Sequence, residues 1–462
     1  MIQALQFWLS LVLLIVIHEF GHFFWAKLFG VRVSRFYLFF NPGFTLFRAK
    51  KIEGKWQFRF FEKGRNKGDE TKDEWDSFPE TTEWGIGWLP LGGYCSVEGM
   101  IDERTFIDGL PSEPQTWEYR SKKLWQRMLI ISGGVINNLV FALLIFGSVL
   151  FVWGKDYYLM SDFKNGFEFN RVAENTGFKD GDIPLMANGE LLKKFDETSL
   201  RQILDAKNVS VIRDGDTITF NIKDSFAEEV LSSSRNSKEL LISPILPFVV
   251  ADFTESSVAK KAGLQIGDSI VSINQCQTST FSALSKEVQK SAGQEISVLI
   301  CRDKNFHTIK MTPDSTGKIG VYPYSYGRYY KHHHDEYSAL SAIPAGISLG
   351  FERLVGYVSD FKYLFVEDGF KNLGGFKSIG SMYSPVWNWH HFWDFTAFLS
   401  LILFFMNFLP IPALDGGYFF FLLIELFTGK KPSDELLAKI NMIGMILLFF
   451  LFIFSNVNDF IR

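Results

Sequence analysis

Ile15-Val16-Ile17-His18-Glu19-Phe20-Gly21-His22-Phe23 lies inside an apolar run that extends from Ala4 to Ala26. A run of that length meets the roughly 20 apolar residues a helix needs to cross a bilayer core. On a helix, side chains four apart share a face, so His18 and His22 can reach one ion. Zinc accepts imidazole nitrogen and keeps an open position for water at catalytic centres. Glu19 then stands beside that water as general base. A carboxylate at the centre of a membrane helix costs about 2.5–3.5 kcal/mol on insertion scales, which makes Glu19 a functional candidate by default. The blander reading, a buried His–Glu structural pair, leaves that cost unexplained.

Three further runs are long enough to span: Met128–Trp153, Phe395–Ile424 and Ile440–Val457. The second and fourth of the four runs carry no charge, and the third carries only Asp415, within Asn407-Phe-Leu-Pro-Ile-Pro-Ala-Leu-Asp415-Gly-Gly. Pro410, Pro412, Gly416 and Gly417 break the helix there and let the carboxylate project. Two histidines are one ligand short of a catalytic zinc set, and no span offers Asp415 a basic partner. Glu19 and Asp415, each costly alone, are explained together by one zinc ion.

Composition agrees. Of the 462 residues 16% are aromatic and only 21% charged, and a net charge of −4 gives no reason to expect nucleic acid. Cys95, Cys276 and Cys301 make no disulfide framework; Cys276 and Cys301 could pair if they face each other in an oxidising compartment, and otherwise read as packed free thiols. The first residues lack the basic region of a signal peptide, so the first run reads as a retained span. Basic residues flank the runs unevenly: Lys27, Arg32 and Arg35, then Arg120, Lys122, Lys123 and Arg127, then Lys430 and Lys431. By the positive-inside rule, residues 27–127 and 428–439 face the cytoplasm, and 154–390 with both termini lie outside.

Between the first two spans, Phe44–Phe61 and Thr81–Val97 are aromatic, extended arms around a charged tip at Arg65–Asp76. They predict a β-hairpin dipping towards the site. Residues 165–321 turn to ordinary soluble polarity and contain an internal repeat. Glu174-Asn-Thr-Gly-Phe-Lys-Asp-Gly-Asp-Ile and Ser257–Asn274 share a small helix end, Gly, an apolar residue, then Gly-Asp, a strand and an Asn turn. The second copy, with Ala262-Gly263-Leu264 and Gly267-Asp268, resembles a PDZ domain, a fold that binds peptide as an added strand. Residues 338–366 have the pattern of a helix lying in the interface. Lys331-His332-His333-His334-Asp335 reads as a polar linker rather than a metal tract.

His-Glu-x-x-His in the first span with Asn-x-x-Pro-x-x-x-x-Asp-Gly in a late span resembles the site-2 protease family of intramembrane zinc metalloproteases. Leu91-Gly-Gly-Tyr, the two PDZ-like copies, Gly374-Gly-Phe-Lys-Ser-Ile-Gly and a short fourth span are similar to its regulator-of-sigma-E branch. The resemblance covers nearly the whole chain. It implies His18, His22 and Asp415 as zinc ligands, Glu19 as catalytic base, and Asn407 with the strand Leu91, Gly92, Gly93 and Tyr94 as substrate-binding residues. The family's Gly-Pro-x-x-Asn stands here as Gly134-Val-Ile-Asn-Asn138, without the Pro; Asn138 is its equivalent as a further substrate-binding residue. The charged tip is longer than the family pattern. The resemblance also implies transmembrane substrate proteins, such as anti-sigma factors or signal-peptide remnants, in a bacterial inner membrane with the PDZ-like region on the periplasmic side. The rival reading is a catalytically inert membrane PDZ scaffold, against which the intact Glu19 argues.

The expected fold is a polytopic α-helical membrane protein with four transmembrane helices, a membrane-associated β-hairpin and two α+β PDZ-like domains. The expected order is a span at 1–27, a cytoplasmic loop at 28–127, a span at 128–153 and copies at 154–240 and 241–325. A linker with an interfacial helix follows at 326–394, then spans at 395–424 and 425–462.

Overall fold

The computed structural model describes every residue except 64–73, 91, 101–112, 238–239, 279–280, 366–368, 370–372 and 462. The chain divides into two compact units, one of Met1–Gly154 with Glu336–Arg462, the other of Lys155–Asp335.

In the first unit, α1 (Ile2–Leu28) crosses α2 (Leu124–Trp153) where glycine faces glycine. A Cβ on Gly21 would lie 2.2 Å from the Gly133 carbonyl oxygen. Lipid gives helices no hydrophobic reason to associate, so close backbone approach and interhelical hydrogen bonds hold them. Such bonds join Ser10 to Thr396 at 2.6 Å and Ser400 to the Asn138 carbonyl at 2.7 Å.

A five-stranded sheet follows α1, made of β1 (Val33–Leu38), β2 (Phe40–Ile52), β3 (Lys55–Lys63), β4 (Glu83–Leu89) and β5 (Tyr94–Val97) in the order β3-β2-β4-β1-β5. The two expected arms do pair, β2 running antiparallel to β4, but the first arm is not one strand. Phe44–Phe61 is itself a hairpin, because Glu53 and Gly54 take φ of +46° and +83° between the paired Ile52 and Lys55. Positive φ at both central residues is the tight turn whose twist matches two antiparallel strands. β4 then adds antiparallel to β2 and parallel to β1, leaving β5 at an edge. Most of the tip, 64–73, lies outside the described residues.

The second unit contains the repeat, and it is structural. After β6 (Lys155–Tyr157), the first copy runs β7 (Phe167–Phe169), α3 (Arg171–Thr176), β8 (Ile183–Ala187), β9 (Glu190–Leu191), α4 (Glu197–Leu204), β10 (Asn208–Arg213) and β11 (Asp216–Asn221). An added helix, α5 (Phe226–Ser237), precedes its last strand, β12 (Ile242–Pro244). The second copy runs β13 (Val250–Phe253), α6 (Val258–Lys261), β14 (Ser269–Ile273), β15 (Cys276–Gln277), α7 (Phe281–Lys290), β16 (Ile296–Arg302), β17 (Asn305–Met311) and β18 (Val321–Pro323). Strand orders β11-β10-β8-β9 and β15-β14-β16-β17 are the same, as are the pairs β12-β7 and β13-β18. Matching polar locks recur. Arg213 grips Asp182 and the Gly177 carbonyl, as Arg302 grips Asp268 and the Gly263 carbonyl. Asn188 and Asn274 cap the neighbouring strand's N–H groups alike. Each copy closes its own apolar core. The expected boundary at 240 is corrected to follow Pro244, because β12 pairs with β7 of the first copy. Cys276 and Cys301 are free thiols. The three histidines face carboxylates: β19 (His333–Asp335) lines up with β6, His333 bonds Asp162 at 2.8 Å, His334 bonds Asp156 at 2.6 Å, and His332 lies 3.2 Å from Asp156.

Back in the first unit, α8 (Ala339–Asp360) lays Ala342, Gly346 and Gly350 against α2 around Gly147. After the short α9 (Phe376–Ser381), the expected third span at 395–424 proves to be two helices, α10 (Trp389–Phe408) and α11 (Asp415–Thr428). The fourth span is α12 (Asp434–Ile461). Among the described residues, four helices (α1, α2, α10 and α12) are long and apolar enough to cross a membrane.

Candidate metal centre

The break between α10 and α11 builds half of the centre. Pro410 and Pro412 cannot continue the helix, and Ala413 takes φ of +72°. Asp415 is therefore the first residue of α11, where unpaired N–H groups and the helix dipole favour a carboxylate. The turn folds back tightly: a Cβ on Gly416 would lie 2.2 Å from the Leu409 carbonyl oxygen. Asn441, buried on α12, accepts the Ala413 N–H at 3.2 Å and donates to the Tyr418 hydroxyl at 2.7 Å. This Asn was not singled out in the sequence; a lone amide in an apolar span signals a partner without naming it.

α1 supplies the other half. His18 Nε2 and His22 Nε2 are 3.4 Å apart, and each lies 3.2 Å from Asp415 Oδ2. Ligands at 2.0–2.1 Å around a tetrahedral zinc stand about 3.3 Å from one another. Two imidazoles and a carboxylate are a zinc donor set, and Asp415 Oδ2 is a buried oxygen that accepts no hydrogen bond. The residues fit the ion. Among the described residues, this is also the group of three such side chains whose ligand atoms converge.

Neighbours fix the rings. His22 Nδ1–H donates to the Ile130 carbonyl at 2.9 Å, which leaves Nε2 bare. His18 Nδ1 lies 3.2 Å from the Asn138 amide nitrogen, and the amide oxygen has no partner among the described residues. With that oxygen turned to the ring, Nδ1–H donates to it and the His18 Nε2 lone pair also faces the centre. Asn138, expected to bind substrate, is fully buried with its amide against His18. Gly134 backs both rings. A Cβ there would lie 2.5 Å from His22 Nε2 and 2.7 Å from His18 Cε1.

Glu19, partly exposed, follows His18 on α1. A Cβ on Gly93 would meet Ile15 of α1 and come within 3.3 Å of the Glu19 Cγ, so only glycine lets the strand approach here. Gly92 and Tyr94 flank it, Tyr94 stacking on Tyr37, while Leu91 lies outside the described residues. Asn407 is partly buried at the end of α10, beside the break. Thus His18, Glu19, His22 and Asp415 come together, with Gly93 against Glu19.

The family model for peptidase family M50 matches residues 6–70 and 75–451. Among curated relatives, the regulator of sigma E protease of Haemophilus influenzae is 27% identical over 483 residues, covering 99% of this chain and 98% of that one. Protease RseP of Yersinia pestis is 26% identical over 492 residues with the same coverage. The regulator of sigma-E protease RseP of Salmonella typhimurium is 27% identical over 481 residues, again covering 99% and 98%. Matched from its first helix into its last, the chain belongs to peptidase family M50.

Proposed function

We propose that this chain is an intramembrane zinc metalloprotease that hydrolyses peptide bonds in single-span membrane proteins, at a centre formed by His18, His22 and Asp415. The observation that carries the reading is the convergence of those three donors, 3.2–3.4 Å apart, from two apolar helices. Zinc held there would supply a Lewis acid that polarises the scissile carbonyl and activates water. Glu19 takes the proton from the attacking water and returns it to the leaving amine. A membrane helix hides its carbonyls in its own hydrogen bonds, so it must be unwound before it is cut. The open edge of β5 offers replacement partners by strand addition, with Gly92, Gly93 and Tyr94 leading the substrate past Glu19. Asn407, beside the helix break, bonds an amide the unwinding frees.

Alternating side chains on β3, Trp56, Phe58 and Phe60, are exposed. A sheet that turns an aromatic face outward beside a membrane centre is best read as dipping into the bilayer. We read the two copies in Lys155–Asp335 as PDZ-like modules on the periplasmic side that admit trimmed substrates and exclude bulky ectodomains. Relatives that share nearly the full length are named for regulating sigma E, which supports substrates of the anti-sigma type in a bacterial inner membrane.

The test is cleavage of a single-span reporter in detergent by wild type and Glu19→Gln, with zinc measured on both. Both should bind zinc, and the variant should lose about 10²- to 10⁴-fold in rate. A panel of spans left uncut by zinc-loaded wild type would favour the inert scaffold. Reporters with Gly near the cut should be cleaved faster than poly-Leu spans; equal rates would remove the need for unwinding.

A further inference from the structure

Each repeat ends on a strand that is paired on one side only, β12 with β7 and β18 with β13. An open edge of this kind is where a PDZ-type fold adds a peptide as a further strand. In an antiparallel pair, alternate residues bond inward, and those between them turn N–H and C=O away. In the first copy the Asn170 N–H donates to the Leu241 carbonyl at 3.1 Å, and the Ile245 N–H to the Gly166 carbonyl at 3.1 Å. Leu241, Ser243 and Ile245 therefore face β7, while Ile242 and Pro244 face outward. In the second copy the Thr254 N–H donates to the Gly320 carbonyl at 3.0 Å, and the Tyr324 N–H to the Val249 carbonyl at 3.2 Å. Gly320, Tyr322 and Tyr324 face β13, while Val321 and Pro323 face outward. Both copies thus put a proline at the same outward position.

A peptide laid along either edge meets one donor and then a pyrrolidine ring where the next should be. Proline has no N–H to give, and sheets use it to blunt their edges. The peptide carbonyl opposite it leaves water without gaining a partner, which costs more than a bond merely not made. The second copy is closed ahead of β18 as well. Asp314 accepts the Thr316 N–H at 2.8 Å and the Lys318 N–H at 3.0 Å, so loop amides of the kind that hold a terminal carboxylate already hold an internal one. Gly317 folds onto α7, where a Cβ would lie 2.7 Å from the Gln289 Cα. Leu284 and Val288 of α7 are spent on the copy's own core with Ile319. β5 differs. The Glu98 N–H bonds inward to the Arg32 carbonyl at 2.9 Å, so Cys95 and Val97 take the outward positions, and both carry an N–H.

We propose that Pro244 and Pro323 close the two repeats to peptide, so that they select substrate without capturing it and leave strand addition to β5. This rests on the reading of Lys155–Asp335 as PDZ-like modules of a protease. A module that held extended peptide would compete with β5 for the same segment; one that cannot hold it passes it on.

Hydrogen exchange of the full chain in neutral detergent, with and without about 1 mM of decapeptides ending in a free apolar residue, tests this. In wild type the peptides should leave exchange in β12 and β18 unchanged. Pro244→Val and Pro323→Val each restore the missing N–H in a residue suited to a strand. Peptide should then slow exchange about tenfold in the altered strand. Wild-type exchange in β10 and β16 without peptide shows that a variant is folded, and Pro244→Ala and Pro323→Ala, which restore the same N–H, replace a variant that is not. Peptide protection of β12 or β18 in wild type overturns the proposal. So do folded variants that gain none, since the prolines would then not be what closes the edge. Protection at β5 is read on a separate segment, and no cleavage is involved, so the outcome is independent of whether Glu19→Gln abolishes proteolysis.

Discussion

Gly134 carries as much of the metal centre as a ligand does, because two imidazoles rest where its side chain would be. Gly134→Ala should push both rings off the ion and weaken zinc binding at least tenfold in chelator competition. Unchanged affinity would mean the rings have a second resting position. The residues that bear charge were legible from the sequence for one reason: Glu19 and Asp415 are too costly in apolar helices to be incidental. Those that serve the ligands were not. Glycine and asparagine in a span are compatible with packing, capping or catalysis, and only the contact of Gly134 with His18 and His22, or of Asn138 with His18, selects among these.

At the scale of elements, the break between α10 and α11 is held from outside. Ala413 adopts a left-handed backbone, and its N–H finds its acceptor on α12. Asn441→Leu should remove the acceptor of that N–H and one hydrogen bond to the Tyr418 hydroxyl, costing about 1–3 kcal/mol. Because Asp415 follows Ala413 by two residues, zinc affinity should also fall about tenfold, and Asn441→Asp, which keeps an acceptor, should recover part of it. Thermal unfolding with and without zinc separates the two effects: lost stability with unaltered zinc affinity would make Asn441 a packing residue only. The prolines announced this break. The sheet was harder to read, since β1 beside β4 is a parallel, non-local pairing and the tight turn Glu53-Gly54 lies inside the first arm, less conspicuous in the sequence than the charged tip.

Over the whole molecule, the four spans and the repeat were readable because each repeats a local pattern, apolar length in one case and Gly-Asp with an Asn turn in the other. The repeat also predicts how the unit Lys155–Asp335 answers acid. Burial alone would raise the Asp268 carboxyl, but hydrogen bonds from Arg302 and the Gln265 N–H outweigh it and hold its pKa below the ordinary 3.8. A depressed folded pKa means stability that is complete above the ordinary value and is lost as pH falls through the folded one. Hydrogen exchange in β14 and β16 should therefore quicken as pH drops below about 4, corrected for intrinsic rate. Asp268→Asn should exchange faster at neutral pH and respond less to acid; a variant that kept the wild-type acid response would place the sensitive group elsewhere.

His18 and His22 leave the ribosome well before Asp415, with the whole unit Lys155–Asp335 between them. A nascent chain already inserted by its first two spans holds the proposed base and two of the three proposed ligands, and nothing that can cut. Activity is thereby tied to the completion of synthesis: the enzyme is disarmed while its own unfolded spans are nearby as prey, and any chain that stops short of α11 is harmless to its membrane.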